Sequence, residues 1–189
     1  MVQKSIQCRH FGRMNMILMR VLFFSSCSCH FTSLIRFPHR AVLWPAAWAV
    51  SNYLLSEPDL RDNLPSLSVL ELGTGTGLVS IATAMGGAKR IVATDYEPLA
   101  LALTRYAADN INDNSNTKII ETQLLDMCAL KEQPLPIGDD GDNTIDVVVA
   151  ADIMYEPKTG IAMAYRAVEA LRQNCRVVIG DSPGRVRYV

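Results

Sequence analysis

The residues best placed for chemistry stand in one short run, Glu71-Leu-Gly73-Thr-Gly75-Thr-Gly77. Glycine at alternate positions lets a backbone turn sharply and lets a ligand approach where a Cβ would clash. The spacing differs from the dinucleotide fingerprint, because Leu78 stands where that motif wants a third glycine or an alanine, and this disfavours NAD. Glu71, two residues before the loop, would repel a pyrophosphate and attract a cationic ligand. Asp95 follows about twenty residues further on, the separation at which a carboxylate can accept both hydroxyls of a ribose. The chemistry implied is the binding of a ligand that carries a ribose and a positive charge.

Regular elements must bring these groups together. Residues 68–72 form a predicted buried strand ahead of the glycines, and 78–85 a helix after them, ended by Gly86-Gly87. Residues 90–94 form a predicted strand that stops just before Asp95, and 98–110 a helix with Pro98 in its first turn. Three more strands are predicted over 118–125, 146–151 and 176–179. A helix is predicted over 159–172, where Ile161, Ala164, Val168 and Leu171 recur at helical spacing. Ahead of all these, Leu43, Trp44, Ala47, Trp48, Val50, Leu54 and Leu55 define a helix that must begin near Trp44, since Pro45 is tolerated only in a first turn. Residues 57–66 and 131–144 are predicted loops. Strands that are apolar throughout and alternate with helices indicate a parallel sheet covered on both faces, hence an open, doubly wound α/β fold. Ligands of such sheets bind at the carboxyl ends of the strands, near the point where strand order reverses.

Glu71-x-Gly73-x-Gly75-x-Gly77 with Asp95-x-x-Pro98 resembles the seven-strand S-adenosylmethionine-dependent methyltransferases, a Rossmann-like family. The resemblance implies that Glu71, Gly73, Gly75 and Gly77 surround the methionine part of the cofactor and that Asp95 binds its ribose. It also implies that Tyr96 packs on the adenine and that Asp126, in Leu124-Leu-Asp126-Met, meets the adenine amino group. The alternative for Asp126 is a loop acid or helix cap. Asp152-Ile-Met-Tyr155, after the fourth strand, is similar to the Asp-x-x-Tyr of family 16 of these methyltransferases, many of which modify single lysines on specific proteins. It lacks the prolines of the Asn/Asp-Pro-Pro-aromatic motif used on adenine or glutamine. Leu43-Trp44-Pro-Ala-Ala-Trp48 resembles that family's tryptophan-bearing leading helix, which implies Trp44 beside the cofactor, with plain core packing as the alternative for both tryptophans. Gly180-Asp-Ser-Pro-Gly184-Arg185, apart from an inserted Ser182, is similar to a Gly-Asp-Pro-Gly-Arg segment of the branch that methylates the electron-transfer flavoprotein β subunit.

Methyl transfer is an in-line displacement at a sulfonium carbon that calls for no metal and no covalent intermediate, so the enzyme contributes proximity and the exclusion of water. A lysine acceptor must shed a proton from a reference pKa of about 10.4. Asp152 could orient the amine by accepting its hydrogen bonds, and Tyr155 could offer it an aromatic face or a hydroxyl. The competing role for Asp152 is a cap on the following turn. The expected function is S-adenosylmethionine-dependent N-methylation of a lysine on a protein, by a monomer. The alternatives are methylation of a small amine of the nicotinamide type and a catalytically inactive cofactor-binding partner. The acids Asp95, Glu97, Asp152 and Glu156 favour a cationic acceptor. Gly180-Asp-Ser182-Pro-Gly184 also spells a hydrolase nucleophile elbow, but Pro183 has no N–H to offer an oxyanion and no histidine follows it.

The 189 residues suit one domain of about 150 residues and an appendage. Six bases and no acid precede Glu57, so all 19 acids meet the other twelve bases in the remainder, which is not the balance of a polyanion-binding face. Residues 1–40 form a basic arm that reads as a transit-like segment, a secretory signal, or a mispredicted start, with the methyltransferase domain over 41–189. The compartment expected is cytoplasmic, mitochondrial or plastid. The stretch from Met14 to Phe24 is broken by Asn15 and Arg20, whereas a membrane span needs about 20 apolar residues. The five cysteines have no zinc spacing and read as free thiols in a reducing compartment. Five strands against the family's seven predict a sheet truncated after the fifth, whose flank would be an unpaired edge.

Overall fold

Ser68-Val-Leu-Glu-Leu72 is buried at every position, as strands are when helices cover both faces of a parallel sheet. The computed structural model describes residues 19–23, 43–110, 119–138 and 144–182, the first of these as backbone only. Its elements are β1 (Met19–Phe23), α1 (Pro45–Ser56), α2 (Pro58–Arg61), a 3₁₀ turn (Leu64–Ser66), β2 (Ser68–Leu72), α3 (Leu78–Met85), β3 (Arg90–Asp95), α4 (Pro98–Asn110), β4 (Ile120–Leu124), β5 (Val147–Ala151), α5 (Pro157–Arg172) and β6 (Arg176–Asp181). They form a parallel sheet in the order β1-β6-β5-β2-β3-β4. The chain steps outward from β2 through β3 to β4, then returns to the other side of β2 with β5 and β6. Strand order therefore reverses between β2 and β5, and the crevice beyond their carboxyl ends is the place for a ligand.

Two apolar layers hold the helices on. On one face Val50 and Leu54 of α1 and Val79 and Ala84 of α3 pack on Val69, Ile91, Val147 and Val178. On the other Met163, Ala167 and Ala170 of α5 pack on Leu70, Val148, Ala150 and Val177. Consecutive residues of β2 point to opposite layers, as the pleat requires.

Three expectations need correction. The sheet has six strands among the described residues, not five: Met19–Phe23 of the basic arm pairs with β6 in the register Met19↔Val177 to Phe23↔Asp181. The flank of the last strand is thus paired. The run Met-Arg-Val-Leu-Phe is a short apolar stretch of the kind strands use, masked in the sequence by the composition around it. Second, 57–66 is not a plain loop, since Pro58 opens α2 and Pro65 sits in the 3₁₀ turn. Third, α5 begins at Pro157 and buries Ala162, Met163, Arg166, Ala167 and Ala170, whereas Ile161 and Val168 of the predicted apolar stripe are exposed. The rest of the arm, residues 139–143 of the polar loop and Pro183 to Arg185 of the last motif lie outside the described residues. No helix among the described residues is long and apolar enough to cross a membrane.

Candidate cofactor and active site

The turn after β2 is set by close packing on two sides and open space on the third. A Cβ at Gly73 would lie 2.7 Å from Cγ2 of Ile153, and one at Gly77 2.8 Å from Oγ1 of Thr104. At Gly75, with φ +54°, a Cβ would meet nothing within 4 Å. Gly75 is therefore where the bare backbone of the loop is turned to open space. Its N–H donates to Asp95 Oδ2 at 3.0 Å. The Thr74 N–H donates to the Thr94 carbonyl at 2.8 Å, and Thr94 Oγ1 to the Glu71 carbonyl at 2.7 Å. Two bonds thus join the glycine turn to the end of β3, and a third ties β3 to β2 just before the turn. Asp95 Oδ1 accepts the Glu97 N–H at 3.0 Å. An ionised carboxylate offers about four acceptor directions, so the two bonds leave room for a ribose diol. Burial raises the Asp95 pKa, and the N–H groups of Gly75 and Glu97 oppose that rise.

Glu71 lies beneath this turn, 2% exposed. Its Oε2 accepts Thr74 Oγ1 at 2.8 Å, the Ser80 N–H at 3.1 Å and the Ser80 hydroxyl. Burial pushes its pKa up to about 7, against those bonds and with Asp95 adding to the rise. The side chain thus braces the loop and the first turn of α3 from within, and bears on a ligand through the turn it shapes.

The other wall comes from the ends of β4 and β5. Asp152 follows β5 with φ +55° and is buried. Its Oδ2 accepts the Ala46 N–H at 2.9 Å and its Oδ1 the Ser182 N–H at 2.8 Å. An acid at a helix N-terminus is favourable, and here it fastens the start of α1 to the ends of β5 and β6. Trp44, the residue that opens α1, is thereby brought to the carboxyl end of β5, half-buried. Trp48 is 60% exposed and is not a core residue. Tyr155 and Tyr96 are partly exposed neighbours from the β5 and β3 ends. Burial first, then Tyr96 and Glu156, raise the Tyr155 pKa. Asp126 Oδ1 accepts the Cys128 N–H at 2.8 Å and caps the turn after β4. Burial and then Asp126 raise the pKa of the Cys128 thiol. The carboxyl ends of β2, β3, β4 and β5 thus lie along one edge of the sheet, on either side of the point where strand order reverses.

Several residues of this frame escaped the sequence reading. Ser80 and Thr94 tie the loop, and Arg166 with Glu169 of α5 holds the segment after β4. The one local signal for the last pair is an arginine three residues before a glutamate. Among the described residues no three His, Cys, Asp or Glu side chains are grouped to hold a metal ion.

A parallel, doubly wound sheet whose switch point carries a glycine turn tied to a strand-end carboxylate has the architecture of a nucleoside-binding domain. Residues 39–180 match the family model described as lysine methyltransferase, and the chain belongs to that family. It is 31% identical over 158 residues to the electron transfer flavoprotein beta subunit lysine methyltransferase of Rattus norvegicus, covering 80% of this chain and 52% of that protein. It is 29% identical over 153 residues to the protein N-terminal and lysine N-methyltransferase efm7 of Schizosaccharomyces pombe, covering 78% of this chain and 53% of that protein. The crystal structure of magnesium protoporphyrin IX methyltransferase from Synechocystis PCC 6803 with bound SAM overlaps it with a TM-score of 0.49 at 21% identity, over 65% of this chain and 51% of that chain. The chain spans about half the length of the curated relatives it matches.

Proposed function

We propose that the chain binds S-adenosylmethionine between the carboxyl ends of β2 and β5 and methylates a lysine side chain of a protein. The observation that carries this reading is the bond from the Gly75 N–H to Asp95 Oδ2, at a turn whose Gly75 faces open space, in a chain of the lysine methyltransferase family. Bare backbone and a carboxylate with free acceptor directions, side by side, fit a nucleoside. Bound S-adenosylmethionine supplies an electrophilic methyl group on a sulfonium.

The chain's own residues hold and orient. The turn of Gly73, Gly75 and Gly77 supports the methionine part, Asp95 accepts the ribose hydroxyls, Tyr96 lies against the adenine and Asp126 accepts its amino group. Glu71 shapes the turn, and Trp44 closes the crevice from α1. At the acceptor side, Asp152 fixes the wall by joining α1 to the ends of β5 and β6. The Tyr155 hydroxyl, whose pKa burial raises further above its ordinary value, positions the amine and does not take its proton. Two half-exposed tyrosine rings at the mouth suit a cationic side chain entering from outside. The proposed acceptor is a protein, the substrate class in the relatives' names, met in a reducing compartment, cytosolic or organellar, that suits the free thiols Cys128 and Cys175.

The test is incubation with labelled S-adenosylmethionine and candidate proteins, electron transfer flavoprotein β subunit among them. Label recovered as methyl-lysine after hydrolysis is the expected result. Label recovered only on a small amine would replace the acceptor. A melting point raised by NAD and not by S-adenosylmethionine would overturn the cofactor.

A further inference from the structure

The segment after β4 has no helix or strand of its own, yet its carbonyl groups turn inward to one point. That point is the guanidinium of Arg166, on α5, whose side chain is wholly buried. Nε donates to the Met127 carbonyl at 3.0 Å and Nη2 to the Gln133 carbonyl at 2.6 Å. Nη2 also lies 3.4 Å from the carbonyls of Asp126 and Ala129. Nη1 donates to Glu169 Oε2 at 2.8 Å, and Glu169 Oε1 accepts the Leu135 N–H at 2.7 Å. The segment closes on itself as well, the Asp126 N–H donating to Gln133 Oε1 at 2.7 Å.

Carbonyl dipoles gathered around one centre repel one another unless a cation sits there, and a buried cation is tolerated only when its donors are satisfied. Arginine meets both needs with five N–H groups in a planar fork. A lysine ammonium is a compact point charge on a shorter set of donors and cannot span the same carbonyls. Asp126, the second residue of the segment, is therefore held from behind by α5.

We propose that Arg166 is the positioning residue that places Asp126 against the adenine edge of the cofactor. The inference rests on the cofactor reading above and adds to it the group that makes the site selective for the base. Arg166 touches no ligand and acts through the carbonyls of Asp126 and Met127.

The experiment measures by calorimetry the affinities of S-adenosylhomocysteine and of its deaminated analogue, S-inosylhomocysteine, for the native protein, Arg166→Gln, Arg166→Lys and Asp126→Ala. The native protein should prefer the adenine compound at least tenfold, since the 6-oxo group has no proton for Asp126. In Arg166→Gln and in Asp126→Ala that preference should fall to threefold or less through weaker binding of the adenine compound. Binding of the inosyl compound, held by Asp95 and the glycine turn, should stay within threefold. Arg166→Lys should not restore the preference, and combining Arg166→Gln with Asp126→Ala should cause no further loss. A general loosening of the fold would weaken both compounds alike, and that result overturns the proposal. So does a retained preference in Arg166→Gln, or a native protein that binds both compounds equally. If the native protein binds neither, the cofactor reading itself fails. Should Arg166→Gln not fold by circular dichroism, Glu169→Ala removes the acceptor that orients the guanidinium. It should likewise lower the preference, and an unchanged preference overturns the proposal.

Discussion

The Gly75 N–H donates to Asp95 Oδ2 across 3.0 Å, so the acid that ends β3 holds in place the glycine turn that follows β2. Each is half of the proposed cofactor site, and each fixes the other before any ligand arrives. Asp95 therefore has a structural duty besides the proposed ribose binding. Asp95→Ala should cost about 1–3 kcal/mol of stability, because the N–H groups of Gly75 and Glu97 lose their acceptor. It should also weaken S-adenosylhomocysteine more than tenfold. Asp95→Asn, which keeps one acceptor oxygen for the two N–H groups, should recover only part of the stability and not the affinity. Urea denaturation and calorimetry on the two variants separate the duties, and native affinity in either variant would remove Asp95 from the ribose site.

The glycines of the turn should fail in different ways. Gly77→Ala forces a side chain into a left-handed backbone and against Thr104, which together cost roughly 2–5 kcal/mol. Gly75→Ala carries the backbone cost alone, about 1–2 kcal/mol, because its methyl group meets open space. That methyl would stand where the ligand lies, so Gly75→Ala should lose affinity for S-adenosylhomocysteine out of proportion to its melting point. If Gly75→Ala binds as the native protein does, the open side of the turn is not the ligand side.

Glu71 should make stability depend on pH. Its folded pKa of about 7 lies above its ordinary value of 4.5, so the fold favours the protonated acid. The contribution is fully present below pH 4.5 and is lost as pH rises through about 7, a change of roughly 3 kcal/mol. Glu71→Gln stays neutral throughout and lacks this loss. The stability of the variant relative to the native protein should rise between about pH 5 and 8 in urea titrations. A difference that is flat across that range would mean that the bonds from Thr74 and Ser80 outweigh burial.

Asp152→Ala should abolish methyl transfer and, because it strands the N–H groups of Ala46 and Ser182, lower the melting point by several degrees. Cofactor affinity should stay within a few-fold. A tenfold or larger loss of affinity with the fold intact would assign Asp152 to seating Trp44 and the cofactor, not to the acceptor.

Local signals carried the sequence reading a long way. The loop from Glu71 to Gly77 declares its turn by glycine spacing, and Asp95 declares itself by following the short strand run Arg90-Ile-Val-Ala-Thr94. Both depend on neighbours in the chain, so both were legible. The face of α5 was not, because its buried stripe mixes alanines with Thr159, Met163 and an arginine, while Ile161 and Val168 lie outside. Hydropathy assumes that a buried face is apolar, and Arg166 is buried through carbonyls of a segment more than thirty residues away. Asp152 stands out in the sequence by its motif, but its partner Ala46 lies 106 residues earlier, a pairing no local pattern records. The same holds for β1, whose partner strand is the last of the described elements.

The pairing of Met19 with Val177 has a consequence for how the molecule is assembled. As the polypeptide leaves the ribosome, β1 must wait until β6 has been made before its neighbour exists. Closing so long a span comes late and slowly compared with the β2–α3–β3 unit, whose contacts are local. The glycine turn and its carboxylate can therefore form early around a short nucleus, while β1 joins the sheet only once β6 exists.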